Sequence, residues 1–116
     1  MRFMTMVKGK EDQGPPPPAL MEAMGKLVEE AIKGGSMVEM GGLAPSAMGV
    51  RVRLSGGKVS VIDGPYAEAK EVVGGFAILE LESREEAIEA ARNFIELHRK
   101  HWPGWEGESE VRQIFS

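Results

Sequence analysis

Two segments of this sequence, residues 2–7 and 76–81, have the length of β-strands and carry apolar side chains at successive positions. Successive side chains of a strand point to opposite faces of a sheet, so Met4 and Met6 lie on the face opposite to their neighbours. A sheet built from such strands has two apolar faces, and both must be covered. This requirement limits the architectures that the chain can adopt.

Two amphipathic helices are predicted, one over residues 19–33 and one from Ser83 to about Lys100. The second begins with Ser83-x-x-Glu86, a capping box. Gly34-Gly35 ends the first. Strands fill the remaining apolar segments, so that the predicted order is strand, helix, strand, hairpin, strand, helix, strand, with strands at 2–7, 37–40, 50–54, 58–62, 76–81 and 110–115.

A chain of 116 residues forms one domain, and here residues 1–116 are predicted to be a single α+β domain with an antiparallel sheet. Two helices cover only one face of that sheet. The other face needs a partner, and a second copy of the chain is the simplest one. We therefore expect a homodimer in which the two sheets pack face to face.

The hairpin is centred on Gly56-Gly57, because glycine accepts the positive φ that two-residue turns require. That register pairs Leu54 with Val59 and places Asp63 at the end of the apolar side of the hairpin. Arg51 and Arg53 fall on the opposite side.

Composition excludes several classes of protein. The net charge is −4 and there is no long basic run, so direct nucleic-acid binding is not expected. The absence of cysteine excludes disulfides, thiolate metal sites and cysteine nucleophiles. No apolar run is long enough to span a bilayer, and no secretory leader is evident, so a cytoplasmic protein is expected. There is no glycine-rich fingerprint for a nucleotide, and no cofactor is predicted.

Residues 63–76 read Asp-Gly-Pro-Tyr-Ala-Glu-Ala-Lys-Glu-Val-Val-Gly-Gly-Phe. This segment resembles the signature of the DGPF-type group within the YCII-related proteins. The resemblance continues in Arg2-Phe3-Met4, Gly42-Leu43-x-Pro45, Arg51-Val-Arg53 and Glu110-Val-Arg112. Tyr66 stands where the group usually has phenylalanine.

The resemblance implies a ferredoxin-like fold that dimerises into an α/β barrel-like assembly. It also suggests a regulatory link, since DGPF-type proteins are often encoded near extracytoplasmic-function sigma factors. Some YCII relatives look like enzymes with a His-Asp pair, whose histidine sits on the first helix. The first helix of this chain has no histidine, so that chemistry does not carry over.

Asp63 is the first candidate for a catalytic residue. A carboxylate at the end of an apolar strand face can serve as a general acid or base. The alternative is structural, because Asp before Gly-Pro commonly fixes a turn through backbone hydrogen bonds. Glu68 and Lys70 are further catalytic candidates, with Glu71 and Tyr66 as ligand-binding neighbours. The alternative for this charged cluster is a solvated loop.

Three arginines are candidates for bidentate binding of a carboxylate or phosphate: Arg51, Arg53 and, provided that it lies on a neighbouring strand, Arg112. The alternative is pairing with glutamates in the dimer. His98 and His101 are three residues apart, but two ligands without a third do not define a metal site, and none is predicted.

Two functions follow. One is an enzyme that performs acid/base chemistry on a small polar molecule in a cleft around Asp63. The other is a non-catalytic module that binds a ligand or a partner and serves a transcriptional regulator. The remaining alternative is a dimeric domain whose polar residues are only structural.

Overall fold

A computed structural model describes residues 1–66 and 71–115 of the chain. Its elements follow the predicted order, with six strands and two α-helices: β1 (Arg2–Gly9), α1 (Pro18–Lys33), β2 (Met37–Gly42), β3 (Val50–Ser55), β4 (Lys58–Asp63), β5 (Val72–Glu80), α2 (Arg84–His101) and β6 (Gly107–Gln113). Short 3-10 turns occupy Glu11–Gln13 and Ser46–Met48.

Four strands form one sheet in the order β2-β5-β1-β6, and each neighbouring pair is antiparallel. Each helix links two strands that are not neighbours in the sheet, which is the ferredoxin-like arrangement. The α+β prediction is confirmed, including the antiparallel sheet and the two helices on one of its faces.

The core lies between the helices and the sheet. Phe3 and Leu79 are paired across β1 and β5, and both are buried against the helices. Leu20 of α1 and Ala87 and Ala91 of α2 are the other buried apolar residues among those described. Ala87 and Ala91 lie on the side of α2 that packs on the sheet, and the buried Phe3 marks the face of the sheet that the helices cover.

The helix ends follow local chemistry. Proline at the start of α1 costs no hydrogen bond, because the first N–H groups of a helix have no partner within it. At α2 the hydroxyl of Ser83 accepts from the backbone N–H of Glu86 (3.2 Å). The reciprocal half of the predicted capping box differs, since the Glu86 carboxylate accepts from the N–H of Glu82 (3.0 Å) rather than that of Ser83.

Two further predictions need correction. Residues 72–75 were expected in a loop, yet they begin β5, because Val72 and Val73 pair with the end of β1. The i,i+4 spacing of Glu96 and Lys100 predicts an ion pair between them, but Glu96 accepts from Arg99 instead, through Nη2 at 2.6 Å and Nε at 2.9 Å.

The β3–β4 hairpin, residues 50–63, forms a two-stranded sheet of its own, which we call the arm. Gly56 and Gly57 both have positive φ, 58° and 77°, as the predicted turn requires. The predicted register is confirmed: Leu54 faces Val59, Val52 faces Val61 and Val50 faces Asp63.

In the part of the chain that the structure describes, the second face of the main sheet carries no helix. Met4 pairs with Ile78 and Met6 with Phe76 on this open face, and all four side chains are half-buried. Charged side chains flank these four residues. The Glu110 carboxylate accepts hydrogen bonds from Lys8 and from Arg112 (3.0 Å). No helix in the described part of the chain is long and apolar enough to cross a membrane.

Candidate functional site

A cleft of about 310 Å³ opens where the arm joins the main sheet. One wall is the loop between β2 and β3, at residues 43–46, 48 and 49. The other wall is formed by Arg51, Tyr66 and residues 71–73. Most of the lining is aliphatic, and the polar groups are few, which is the usual composition of a small-molecule site.

Glu11 holds the loop that forms the first wall. Its carboxylate accepts from the backbone N–H of Ser46 (2.7 Å) and from the Ser46 hydroxyl. These two bonds stabilise the ionised carboxylate, so the pKa of Glu11 lies below its ordinary value, with the hydroxyl as the larger cause. The cleft therefore depends on a side chain 35 residues away in the sequence.

Gly64 packs against the same loop from the other side. Its N–H donates to the carbonyl of Gly49 (3.0 Å). A Cβ at position 64 would lie 1.7 Å from the carbonyl oxygen of Ser46. The Asp63-Gly64-Pro65 turn thus approaches the loop so closely that only glycine fits.

Arg51 and Tyr66 form the polar centre of the cleft. The guanidinium carbon of Arg51 lies 3.7 Å from the centre of the Tyr66 ring, a cation–π contact. The Tyr66 hydroxyl lies close to Gly49, where an added Cβ would be 3.0 Å from it. Tyr66 therefore connects the arm to the loop. Arg51 and Tyr66 are two of the five predicted ligand-binding residues, and both line the cleft.

Glu71 also lines the cleft, at the start of β5, and its side chain is exposed. The pKa of Lys8 is raised, mainly by its hydrogen bond to Glu110. The negative charges of Glu110, Glu108 and Glu71 add to this shift. The same hydrogen bond, with that from Arg112, lowers the pKa of Glu110. The cleft thus has a carboxylate on the wall that also carries Val72 and Val73.

Asp63 does not line the cleft. It is exposed on β4 and pairs with Val50, so strand alternation places it on the face of the arm opposite to Arg51. The expected cleft around Asp63 is therefore displaced toward Arg51 and Tyr66. Within this single chain Asp63 lacks the burial on which its acid/base role would depend. Glu68 and Lys70, the other catalytic candidates, lie outside the described residues.

Two of the candidate arginines lie away from the cleft. Arg53 shares a face with Arg51, but it is exposed farther along the arm and is not among the lining residues. Arg112 lies on β6, at the edge of the main sheet opposite to β2, and it pairs with Glu110. The expectation that Arg112 neighbours the arm strands is wrong, because among residues 1–66 and 71–115 strand β3 pairs with β4 alone.

His98 is part of an aromatic cluster in the core and is only 5% exposed. Its Nδ1 donates to the carbonyl of Phe94 (2.9 Å), and its ring lies 4.4 Å from Trp105 and 6.4 Å from Trp102 between centroids. Burial lowers the pKa of His98, while the hydrogen bond to Phe94 opposes that shift. Within residues 1–66 and 71–115 no three His, Asp or Glu side chains are grouped to hold a metal ion.

Sequence reasoning missed Glu11 and Ser46. Neither residue belongs to a periodic segment or a recognisable motif, and their contact joins two irregular regions. The one available signal was the turn-rich composition of residues 41–45, which indicated a bend but not what holds it.

The YCII-related domain profile matches residues 1–95, and the chain belongs to that family. It is 30% identical, over 74 residues, to an uncharacterized protein of Rhizobium meliloti. That match covers 64% of this chain and 60% of the relative, so the chain spans about three-fifths of the relative's length.

A solved structure with a similar chain path is 5-chloro-2-hydroxyhydroquinone dehydrochlorinase from Burkholderia phenoliruptrix, in complex with 2,5-dihydroxybenzoquinone. The superposition covers 99% of this chain and 94% of that chain, at 16% identity and a TM-score of 0.49.

Proposed function

We propose that this chain is a DGPF-type member of the YCII-related family and that it binds a small organic acid in the cleft between the arm and the main sheet. One observation carries the proposal: Arg51, stacked on Tyr66, stands in a cleft whose other walls are mainly aliphatic. A cation in an apolar setting favours a ligand that has an anionic group and an apolar body.

The geometry of the Arg51–Tyr66 contact supports a carboxylate as the anionic group. Stacking on an aromatic ring uses the face of a guanidinium, while its N–H donors lie in its plane. A planar carboxylate matches that fork. The cleft volume of about 310 Å³ is near the lower end for small-molecule sites and so suits a compact ligand.

We further propose acid/base chemistry on that ligand. Glu71 and Tyr66 are the described titratable groups that line the cleft together with Arg51. Glu71 would accept a proton from the bound molecule, and Tyr66 would donate a hydrogen bond to an oxygen on which charge develops. Glu68 and Lys70 are further candidates for the same chemistry, whereas Asp63 lies on the other face of the arm and would act only at a site that a second copy completes.

A second candidate function is non-catalytic binding of the same class of ligand, in the service of a transcriptional regulator. The mainly aliphatic lining favours it, because retention of a ligand requires no acid/base group. The two functions differ in whether the bound molecule is chemically changed.

We also propose that the chain is a homodimer in which the open sheet faces pack together. The half-buried Met4, Met6, Phe76 and Ile78 on that face support this arrangement, since no element of the described protomer covers them.

The test is thermal unfolding of the wild type, Arg51→Gln and Lys58→Gln against a panel of small carboxylic acids and their neutral amides. Lys58→Gln is the matched control, because it removes one cation from the same arm outside the cleft. The proposal predicts that an acid, but not its amide, raises the Tm of the wild type and of Lys58→Gln.

Arg51→Gln should weaken binding of that acid at least about tenfold, as expected for the loss of a charge-assisted hydrogen bond. Equal stabilisation of all three proteins would refute the site. Incubation of the stabilising acid with wild type and Glu71→Gln, followed by mass spectrometry or NMR of the small molecule, then separates enzyme from binder.

A further inference from the structure

The aliphatic face of the arm is the most exposed apolar surface of the described protomer. It consists of Val50, Val52, Leu54, Val59 and Val61, whose side chains are 54–72% exposed. The register places all five on one side of the two-stranded sheet. The apolar residues of the open sheet face are less exposed than these five, because their side chains are half-buried. A contiguous aliphatic surface of this kind on a soluble domain marks an interaction site.

The exposed surface area and the radius of gyration of the protomer indicate how much surface a contact with another molecule would cover. A compact monomer of 12.6 kDa is expected to expose roughly 6,200 Å². This protomer exposes 8207 Å², about 2,000 Å² more. Its radius of gyration is 15.8 Å, against roughly 13 Å for a compact domain of this length. The arm therefore projects from the body instead of folding back on it.

The excess area fits a second copy of the same chain. Two protomers that each cover such an excess would bury about 4,000 Å² in total, within the range of obligate homodimers. A two-fold axis makes the contact reciprocal, so each arm covers the other copy and neither arm remains exposed.

Charge favours the same partner. The arm carries Arg51, Arg53 and Lys58 against the single carboxylate of Asp63, so it is positive. The whole chain has a net charge of −4, so the body outside the arm is more acidic than the chain as a whole. These three cations lie on the face of the arm opposite to its aliphatic face, so they steer the arm toward an acidic body at long range and are not part of the aliphatic contact itself.

We propose that the arm is a dimerisation element whose aliphatic face, Val50, Val52, Leu54, Val59 and Val61, lies against a second copy of this chain. Asp63 shares this face, at its base. The second copy therefore removes water from Asp63 and supplies the burial that one protomer lacks. The inference does not depend on the ligand proposed for the Arg51 cleft, because Arg51 lies on the other face of the arm.

The experiment compares three lysine substitutions by sedimentation equilibrium over a range of protein concentrations. Val52→Lys introduces a charge on the aliphatic face. Ser60→Lys introduces the same charge on the opposite face of the same arm, next to Val61 in the chain. Met6→Lys introduces it on the open sheet face. Circular dichroism melts establish that each variant is folded.

The proposal predicts a dimeric wild type, an unchanged Ser60→Lys variant and a Val52→Lys variant whose dimer dissociation constant rises at least about tenfold. A monomeric wild type would overturn it. A dimer that is broken by Met6→Lys but not by Val52→Lys would also overturn it, while leaving the packing of the open sheet faces intact.

A second measurement keeps the test sharp if Val52→Lys folds poorly. Because the chain has no cysteine, single substitutions Val61→Cys and Ser60→Cys can each carry one environment-sensitive fluorophore. The proposal predicts a blue shift of emission on raising the protein concentration for the label at 61, and none for the label at 60. The same response at both positions, or at neither, contradicts it.

Discussion

The guanidinium carbon of Arg51 lies 3.7 Å from the centre of the Tyr66 ring, and this contact joins the arm to the segment that follows it. Both residues are half-buried and line the cleft, so the contact contributes to the shape of the cleft. A partly exposed cation–π contact contributes about 0.5–1 kcal/mol.

Tyr66→Leu should therefore lower the free energy of unfolding by about 0.5–1 kcal/mol and abolish binding of a ligand in the cleft. Tyr66→Phe keeps the ring and should retain the stability. Urea unfolding of both variants measures the difference. Equal destabilisation by leucine and phenylalanine would mean that the hydroxyl, and not the ring, holds the contact.

Gly64→Ala should destabilise the protein by about 1–3 kcal/mol, because the new methyl group overlaps the carbonyl of Ser46 and the loop must move. Gly25→Ala is the matched control. Gly25 lies in α1 with nothing within 4 Å of an added Cβ, so alanine there should stabilise by about 1 kcal/mol. Chemical unfolding gives both values, and a tolerated Gly64→Ala would argue against the close approach of the turn to the loop.

Glu11→Ala should loosen the wall of the cleft, since it removes both bonds to Ser46. Hydrogen exchange at the amide of Ser46 should become several-fold faster, whereas Asp12→Ala, in the same turn, should leave it unchanged. The pKa of Glu11 is lowered, so this anchoring is complete above its ordinary value of 4.5 and is lost as the pH falls through the lowered pKa. An unchanged hydrogen-exchange rate at the Ser46 amide in Glu11→Ala would contradict this account.

His98 should make the fold sensitive to mild acid. Its folded-state pKa is lowered by burial, so the unfolded chain binds a proton more readily. The stabilisation is complete above the ordinary value of 6.5 and declines as the pH falls below it. The Tm of wild type and of His101→Gln should thus fall between pH 7 and 5, and that of His98→Gln should fall less. Parallel pH profiles for all three proteins would exclude His98 as the source.

Most of the architecture could be predicted from the sequence, because the patterns that indicate it lie within short segments. Alternation on both sides of Gly56-Gly57 was enough to pair Val52 with Val61, and the helical periodicity of α2 placed Ala87 and Ala91 in the core. The start of β5 was missed because glycines at 74 and 75 resemble a loop, and only pairing with β1 makes them a strand.

The candidate site was less predictable, because it depends on contacts between irregular segments. Arg51 was assigned to a separate group of arginines, whereas Tyr66 and Glu71 were expected in one cleft, which both of them line. Asp63 was expected with them, although its own register put it on the other face. The anchoring of Ser46 by Glu11 had no sequence signal, since hydrogen bonds between loops follow no period.

The central claim is that the Arg51–Tyr66 cleft binds a small organic acid. It is tested most directly by NMR titration of the isotope-labelled wild-type protein with the carboxylic acid that stabilises it most. The account predicts saturable amide shift changes concentrated at Ser46, Gly49, Arg51, Tyr66 and Glu71, and their loss in Arg51→Gln. Shift changes confined to other regions, such as the Trp102–Trp105 segment, or changes that persist in Arg51→Gln, would contradict it.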